Sequence, residues 1–235
     1  MKIAVCISGE PRNYKNSFET IKKSFLKDED FDFYFHTWNK EKFTSTNFGF
    51  GQHEYSLSED SYKEIIDLYQ PKNYKIENPI LFDASGYKCP IWRQPLNNTL
   101  SMYYSIYQTF LLIDQNINYD YVVRTRFDID YTIFKPIFNN KLQIPIWHNT
   151  DKRCIHRGVD DNFAMGSYDD IKKYSSLFCY AISYITNNEE YFNSLSGGWP
   201  GQDSPLRNEY LLKWHLQSQK IDYEIFLTKN KGILR

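Results

Sequence analysis

Residues 2–37 read KIAVCISGEPRNYKNSFETIKKSFLKDEDFDFYFHT, and this stretch decides the fold class. Lys2 to Ser8 is a short apolar run closed by Gly9, Pro11 and Arg12, the pattern of a buried strand that stops at a turn. Phe18, Ile21, Phe25 and Leu26 then recur at helical spacing over Asn16 to Leu26, with Asn16 or Ser17 placed to cap. Phe31 to Thr37 is a second apolar run. Strand, helix and strand at this spacing form a βαβ unit. The expectation is an α/β fold with a mostly parallel central sheet flanked by helices.

Downstream the same signals alternate. Thr44 to Ser58 is polar, carries glycine and has no periodicity, so it reads as a loop. Ser58 or Glu59 opens a helix to Tyr69, which Pro71 ends. Tyr74 to Phe82 reads as a strand interrupted by Pro79. Asn97 to Gln115 is the longest helix, with Leu100, Tyr103, Tyr104, Tyr107, Leu111 and Leu112 in one apolar stripe. Strands are expected over Tyr119 to Arg124 and Leu142 to Trp147. Val159 to Gly166 is a strand or a turn before a helix from Tyr168 to Tyr184. Asn187 to Gly201 reads as a loop, Ser204 or Asn208 caps a last helix through Gln219, and Ile221 to Leu227 is a final strand. No linker divides the chain, so 1–235 is expected to be one domain.

Composition narrows the function. A net charge of -1 over 235 residues leaves no basic excess to neutralise a nucleic-acid backbone. No apolar stretch approaches the ~20 residues that span a bilayer, so no transmembrane segment is expected, and peripheral membrane association is compatible with the sequence. Cys6, Cys89, Cys154 and Cys179 form no CxxC pair, which speaks against zinc and for a reducing, cytoplasmic compartment. Aromatic residues make up 18% of the chain, a content that suits packing and also suits stacking on a pyranose. No nucleophile elbow and no P-loop is present.

The chemistry concentrates in Arg124-Thr-Arg-Phe-Asp-Ile-Asp130, directly after a predicted strand. In parallel sheets, ligands gather beyond the carboxyl ends of strands. Asp128 and Asp130, two apart in a turn, suit a hard cation such as Mn²⁺ or Mg²⁺. Arg124 and Arg126 suit phosphate oxygens, or else pair with these same aspartates. Ser8, Gly9 and Arg12 form a second, nucleotide-side candidate, because glycine lets the backbone approach and Arg12 can contact phosphate. A third is the acidic pair Asp160 and Asp161, either of which serves as a general base or as a turn and helix cap. Asp161 ranks first as base, then Asp160, then Glu209. His215 is read as packing or as a further metal or diphosphate ligand.

Taken together, AVCISGEPRNY, FHTW, NNTLSMYYSIYQ, YDYVVRTRFDID and DDNFAMGSYDDIKKY occur in the order found in GT-A-type glycosyltransferases of bacterial surface-polysaccharide clusters and large DNA viruses. The chain resembles that family over nearly its whole length. The resemblance implies a GT-A-like, Rossmann-related fold, a nucleotide diphosphate sugar donor, with a uridine diphosphate (UDP) sugar as the guess, and a glycan acceptor. It places Ser8, Gly9 and Arg12 at the nucleotide, Mn²⁺ or Mg²⁺ and the donor at Asp128 and Asp130, and Asp160 or Asp161 near the acceptor. Residues 1–130 would form the nucleotide-sugar part and 131–235 the acceptor side. Two other readings stand beside this one. A sugar nucleotidyltransferase would carry a glycine-rich basic loop after the first strand. A non-catalytic glycan-binding domain would explain the aromatics but not DxD with flanking arginines.

Overall fold

A computed structural model describes residues 1–39, 42–47, 51–82, 96–146, 158–187, 189–191 and 208–228. Its centre is a seven-stranded sheet of β1 (Lys2–Ser8), β2 (Asp30–Trp38), β5 (Asn73–Glu77), β6 (Tyr121–Thr125), β7 (Leu142–Ile146), β8 (Ala164–Gly166) and β9 (Tyr223–Leu227). The spatial order is β5-β2-β1-β6-β8-β7-β9. All neighbours pair in parallel except at β8, which is antiparallel to both β6 and β7. The expected α/β class with a mostly parallel sheet holds.

Two faces of the sheet are buried, as a parallel sheet requires, and strand alternation sorts the residues between them. Ile3, Val5 and Ile7 face a core shared with α1 (Tyr14–Ile21) and α2 (Glu59–Tyr69) through Tyr14, Ile21, Tyr62, Ile65 and Tyr69. Ala4, Cys6 and Val122 face the opposite core. That core is built from α3 (Leu96–Leu111), α4 (Tyr168–Ser175), α5 (Leu177–Asn187) and α6 (Asn208–Ser218). No helix among the described residues is long and apolar enough to cross a membrane.

Several local expectations change. The stretch Thr44 to Ser58, expected as a loop, overlaps two strands, β3 (Lys42–Asn47) and β4 (Gly51–Ser56), which pair in antiparallel. Its strands are polar at both alternating positions, so no hydrophobic period announced them. Asn13, at φ 50, precedes α1 without a side-chain cap, and Ser17 instead donates from inside the helix to the Ile129 carbonyl. Ser58 does cap α2, in a reciprocal pair with Ser61. The helix expected over Tyr168 to Tyr184 is broken at Ser176, whose N–H closes α4. Ser204, Trp147, Cys89 and Cys154 lie outside the described residues.

Candidate functional site

Strand order decides where a ligand can sit. From β1 the chain moves outward to β2 and β5, then returns to place β6 on the other side of β1. The switch point of the sheet therefore lies beyond the carboxyl ends of β1 and β6, where open α/β sheets bind ligands. Because β8 runs antiparallel, its first residue Ala164 pairs with Arg124 near the end of β6. The segment 158–163 is thereby delivered to the same edge. The antiparallel strand is thus what joins the acidic pair to the DxD turn.

At the β1 end, Gly9 takes φ 103, a conformation that glycine tolerates best. Its N–H reaches both the His36 carbonyl at 3.2 Å and Ser105 Oγ at 3.1 Å. Ser105 Oγ also lies 2.7 Å from His36 Nδ1, and His36 Nε2 lies 2.7 Å from Glu77 Oε1. Burial lowers the His36 pKa from its ordinary value, only partly offset by Glu77. A neutral ring that donates from Nε2 to Glu77 and accepts from Ser105 satisfies both contacts. This network fixes the turn after β1. Ser105 and Glu77 carry no motif that sequence reading could have found. Ser8 contributes one long contact, Oγ to the Thr125 carbonyl at 3.5 Å, between the ends of β1 and β6.

Across the switch point, Arg126 grips Asp128 in a fork, Nε to Oδ1 at 2.8 Å and Nη2 to Oδ2 at 2.8 Å. Its Nη1 donates to Asn162 Oδ1 at 3.1 Å, tying the DxD turn to the 158–163 segment. Arg12, arriving from the β1 turn, places Nη2 3.1 Å from the same Asp128 Oδ2. Burial opposes the charge on Arg126, but Asp128 outweighs it and holds the pKa above its ordinary value. Arg12 and Arg126 keep 26% and 22% of their side chains exposed, whereas Asp128 keeps 2%. The two guanidinium groups can therefore meet an incoming ligand while the carboxylate between them cannot.

This changes the roles within DxD. Both Asp128 oxygens accept from arginine and the carboxylate is covered, so the described geometry gives Asp128 the role of positioning Arg12 and Arg126. Asp130 spends only Oδ1, which accepts from Thr132 N and Oγ1 at 2.9 and 2.6 Å and caps the short 3-10 turn Tyr131–Ile133. Its Oδ2 has no bond among the described residues, and Asp130 is half-buried. No group of three or more His, Cys, Asp or Glu side chains among the described residues could form a complete metal cage. A single carboxylate does fit Mg²⁺ or Mn²⁺ arriving with a diphosphate, since Mg²⁺ commonly takes one or two carboxylates plus phosphates and water.

Of the two readings of His215, the described geometry takes packing over a metal or diphosphate ligand. It is fully buried on α6. Its Nε2 donates to the Lys173 carbonyl at 2.7 Å, and its Nδ1 lies 3.1 Å from the Tyr184 hydroxyl. Burial lowers its pKa to about 4. Both ring nitrogens are engaged between helices, so His215 packs the core and has nothing to offer a metal.

The three acidic candidates do come together. Val159 donates its N–H to the Glu209 carbonyl at 3.1 Å. A Cβ at Gly158 would stand 2.7 Å from Glu209 Cβ, so only glycine permits this approach of the segment to α6. Asp160 Oδ1 accepts from Asn162 N at 2.8 Å, a turn-forming bond. Asp161 is buried, and its charge acts on Tyr103, Tyr174 and Arg126. Asn162 was missed in the sequence because an amide beside two aspartates gives no signal of its own. No protein-family model matches the chain, and none of the curated proteins matches it.

Proposed function

We propose that this chain is a glycosyltransferase that moves a sugar from a nucleoside diphosphate sugar, a UDP-sugar by resemblance, to a hydroxyl of a glycan. The observation that carries the reading is the pair Arg12 and Arg126, held on Asp128 at the switch point and tied through Asn162 to the acidic segment. Each guanidinium has five N–H donors, and Arg126 spends three on Asp128 and Asn162. The remaining Arg126 donors suit the oxygens of a diphosphate, with the Arg12 charge beside them. A nucleotidyltransferase reading gains nothing from this arrangement, because the loop after β1 offers one glycine and one arginine.

In the reaction, an acceptor oxygen bonds to the anomeric carbon as the bond from that carbon to the diphosphate breaks. The diphosphate leaves with the electron pair, and Arg12 and Arg126 take up the charge that develops on it. Asp161 receives the acceptor proton. Asp160 is second choice because its Oδ1 is committed to the turn, and Glu209 is third. Mn²⁺ or Mg²⁺, when bound at Asp130, would add charge neutralisation on the same leaving group.

The test is product analysis with nucleoside diphosphate sugars, Mn²⁺ and a panel of glycan acceptors. The expected result is an acceptor heavier by one sugar residue together with free nucleoside diphosphate. Asp161→Asn should lower turnover about 10²-fold with nucleotide binding unchanged. Conversion of the nucleoside diphosphate sugar and added pyrophosphate into nucleoside triphosphate and sugar 1-phosphate, with no sugar transferred to any acceptor, would sink the reading in favour of nucleotidyl transfer.

A further inference from the structure

Of the basic candidates at the switch point, Arg124 is buried with 2% exposure, which leaves Arg12 and Arg126 to meet a diphosphate. Arg126 follows the end of β6 directly, but Arg12 stands on an arch, residues 9–13, between β1 and α1. The arch is short and stiff. Pro11 has its φ fixed by its ring, and the Arg12 N–H closes a bond to the Glu10 carbonyl at 2.8 Å. Gly9 at φ 103 and Asn13 at φ 50 turn the chain at the two ends. Where the feet of the arch stand therefore decides where Arg12 stands.

One foot rests on the DxD turn. The Ser17 N–H bonds the Asn13 carbonyl at 3.0 Å, and Ser17 Oγ donates to the Ile129 carbonyl at 2.7 Å. The other foot rests on a chain of side chains that leads away from the site. The Gly9 N–H donates to Ser105 Oγ at 3.1 Å, which leaves the Ser105 hydrogen for His36 Nδ1 at 2.7 Å and the His36 Nε2–H for Glu77 Oε1 at 2.7 Å. Every donor from Gly9 to the carboxylate points the same way. Burial lowers the His36 pKa and keeps the ring neutral, as this order requires. Beyond it, Lys75 Nζ holds Glu77 Oε2 at 2.7 Å and donates to Gln108 Oε1 at 2.9 Å. A serine, a histidine and a carboxylate in this order resemble the relay of a serine hydrolase. Ser105 is fully buried, however, and its oxygen already accepts the Gly9 N–H, so it has no face to offer a substrate.

What the chain supplies is order. Ser105 and His36 are both fully buried, so a link broken there is not remade by bulk water. Without the Ser105 hydroxyl, the Gly9 N–H keeps only the His36 carbonyl at 3.2 Å. The foot then turns on a glycine, the residue with the least restrained backbone. We propose that Ser105, His36 and Glu77 are positioning residues for the diphosphate: they fix the Gly9 foot, and through the arch they hold Arg12 against Asp128, 3.1 Å away. They act through Arg12 and touch no reacting atom. The inference rests on the glycosyltransferase reading for its ligand.

The experiment is calorimetric titration of uridine diphosphate, with Mn²⁺, into wild type, Ser105→Ala, Glu77→Ala and Thr109→Ala, with urea unfolding of each. Thr109 lies one turn along α3 from Ser105, is buried and donates to the Ser105 carbonyl at 2.7 Å. Its loss removes a buried hydroxyl from the same helix without breaking the chain from Gly9 to Glu77, so Thr109→Ala controls for a merely structural effect. Ser105→Ala is expected to weaken binding by about fivefold or more, part of the worth of one charged hydrogen bond. Glu77→Ala should weaken it by less, and Thr109→Ala should bind as wild type does even where its urea midpoint falls. Amide exchange at Gly9, followed by NMR without nucleotide, should be faster in Ser105→Ala than in wild type. Wild-type affinity in Ser105→Ala or Glu77→Ala, or an equal loss in Thr109→Ala, would overturn this proposal alone. Unchanged Gly9 exchange would overturn it too, by showing that the foot does not depend on Ser105. No binding by wild type would overturn it together with the glycosyltransferase reading.

Discussion

Asp128→Asn is the most informative single change at the switch point. The substitution keeps the shape and one acceptor oxygen but removes the charge that three guanidinium N–H groups approach at 2.8, 2.8 and 3.1 Å. Breaking a buried ion pair from one side costs about 3–5 kcal/mol. Here the two arginines are about a quarter exposed (26% and 22%), which screens the loss, and asparagine retains one bond. The expected loss is about 2 kcal/mol, or about 4–8 °C in melting temperature for a chain of this size. Urea unfolding of wild type, Asp128→Asn, Arg126→Gln and the double variant closes a double-mutant cycle. A coupling of about 1–2 kcal/mol is predicted. Additive effects, or an Asp128→Asn variant as stable as wild type in the presence of a chelator, would refute the clamp and return Asp128 to the role of a metal ligand alone.

Three further outcomes follow from the same geometry. Asp130→Ala should lose the two bonds to Thr132, costing about 1 kcal/mol, and should abolish any strengthening of nucleoside diphosphate binding by Mn²⁺; retained strengthening in calorimetry would remove Asp130 from the metal. Burial lowers the His215 pKa from 6.5 to about 4, so the unfolded chain takes up this proton first as pH falls. The stability carried by its neutral form is complete above 6.5 and declines towards 4, by about 3 kcal/mol in all. His215→Gln cannot titrate and should show a shallower loss over that window, whereas parallel pH profiles would contradict the assignment. Gly158→Ala would set a Cβ 2.7 Å from Glu209 Cβ. It should cost about 1–3 kcal/mol and lower turnover by shifting Asp161, and an unchanged urea midpoint would show that the contact is loose.

The first strand was legible to the residue, because KIAVCIS is apolar throughout and closed by turn residues. The second and sixth strands were legible within a residue or two for the same reason. Their pairing to one edge followed from parallel-sheet topology. Strand β8 was not legible, since three residues are too few to show a period, and its reversed direction is a tertiary choice. Yet that reversal is what brings Asp160, Asp161 and Asn162 to the DxD turn. The partition of the two aspartates was also hidden. Residues 126, 128 and 130 alternate in sequence, but only the fold reveals that Arg12 and Arg126 converge on Asp128 and leave Asp130 to cap a turn. His215 illustrates the converse. Its partners Lys173, Ser176 and Tyr184 come from α4, the α4–α5 junction and α5, remote in sequence, so a core histidine and a ligand looked alike until those helices were in place.

Calorimetric titration of uridine diphosphate, with Mn²⁺ present, into wild type and Arg126→Gln tests the central claim most directly. Losing charged hydrogen bonds to a diphosphate is worth about 1.5–3 kcal/mol each, or at least about tenfold in affinity. The account predicts single-site binding by wild type, weakened at least that much in Arg126→Gln and unchanged in Arg124→Met. No binding by wild type, or equal affinity for wild type and Arg126→Gln, would contradict it.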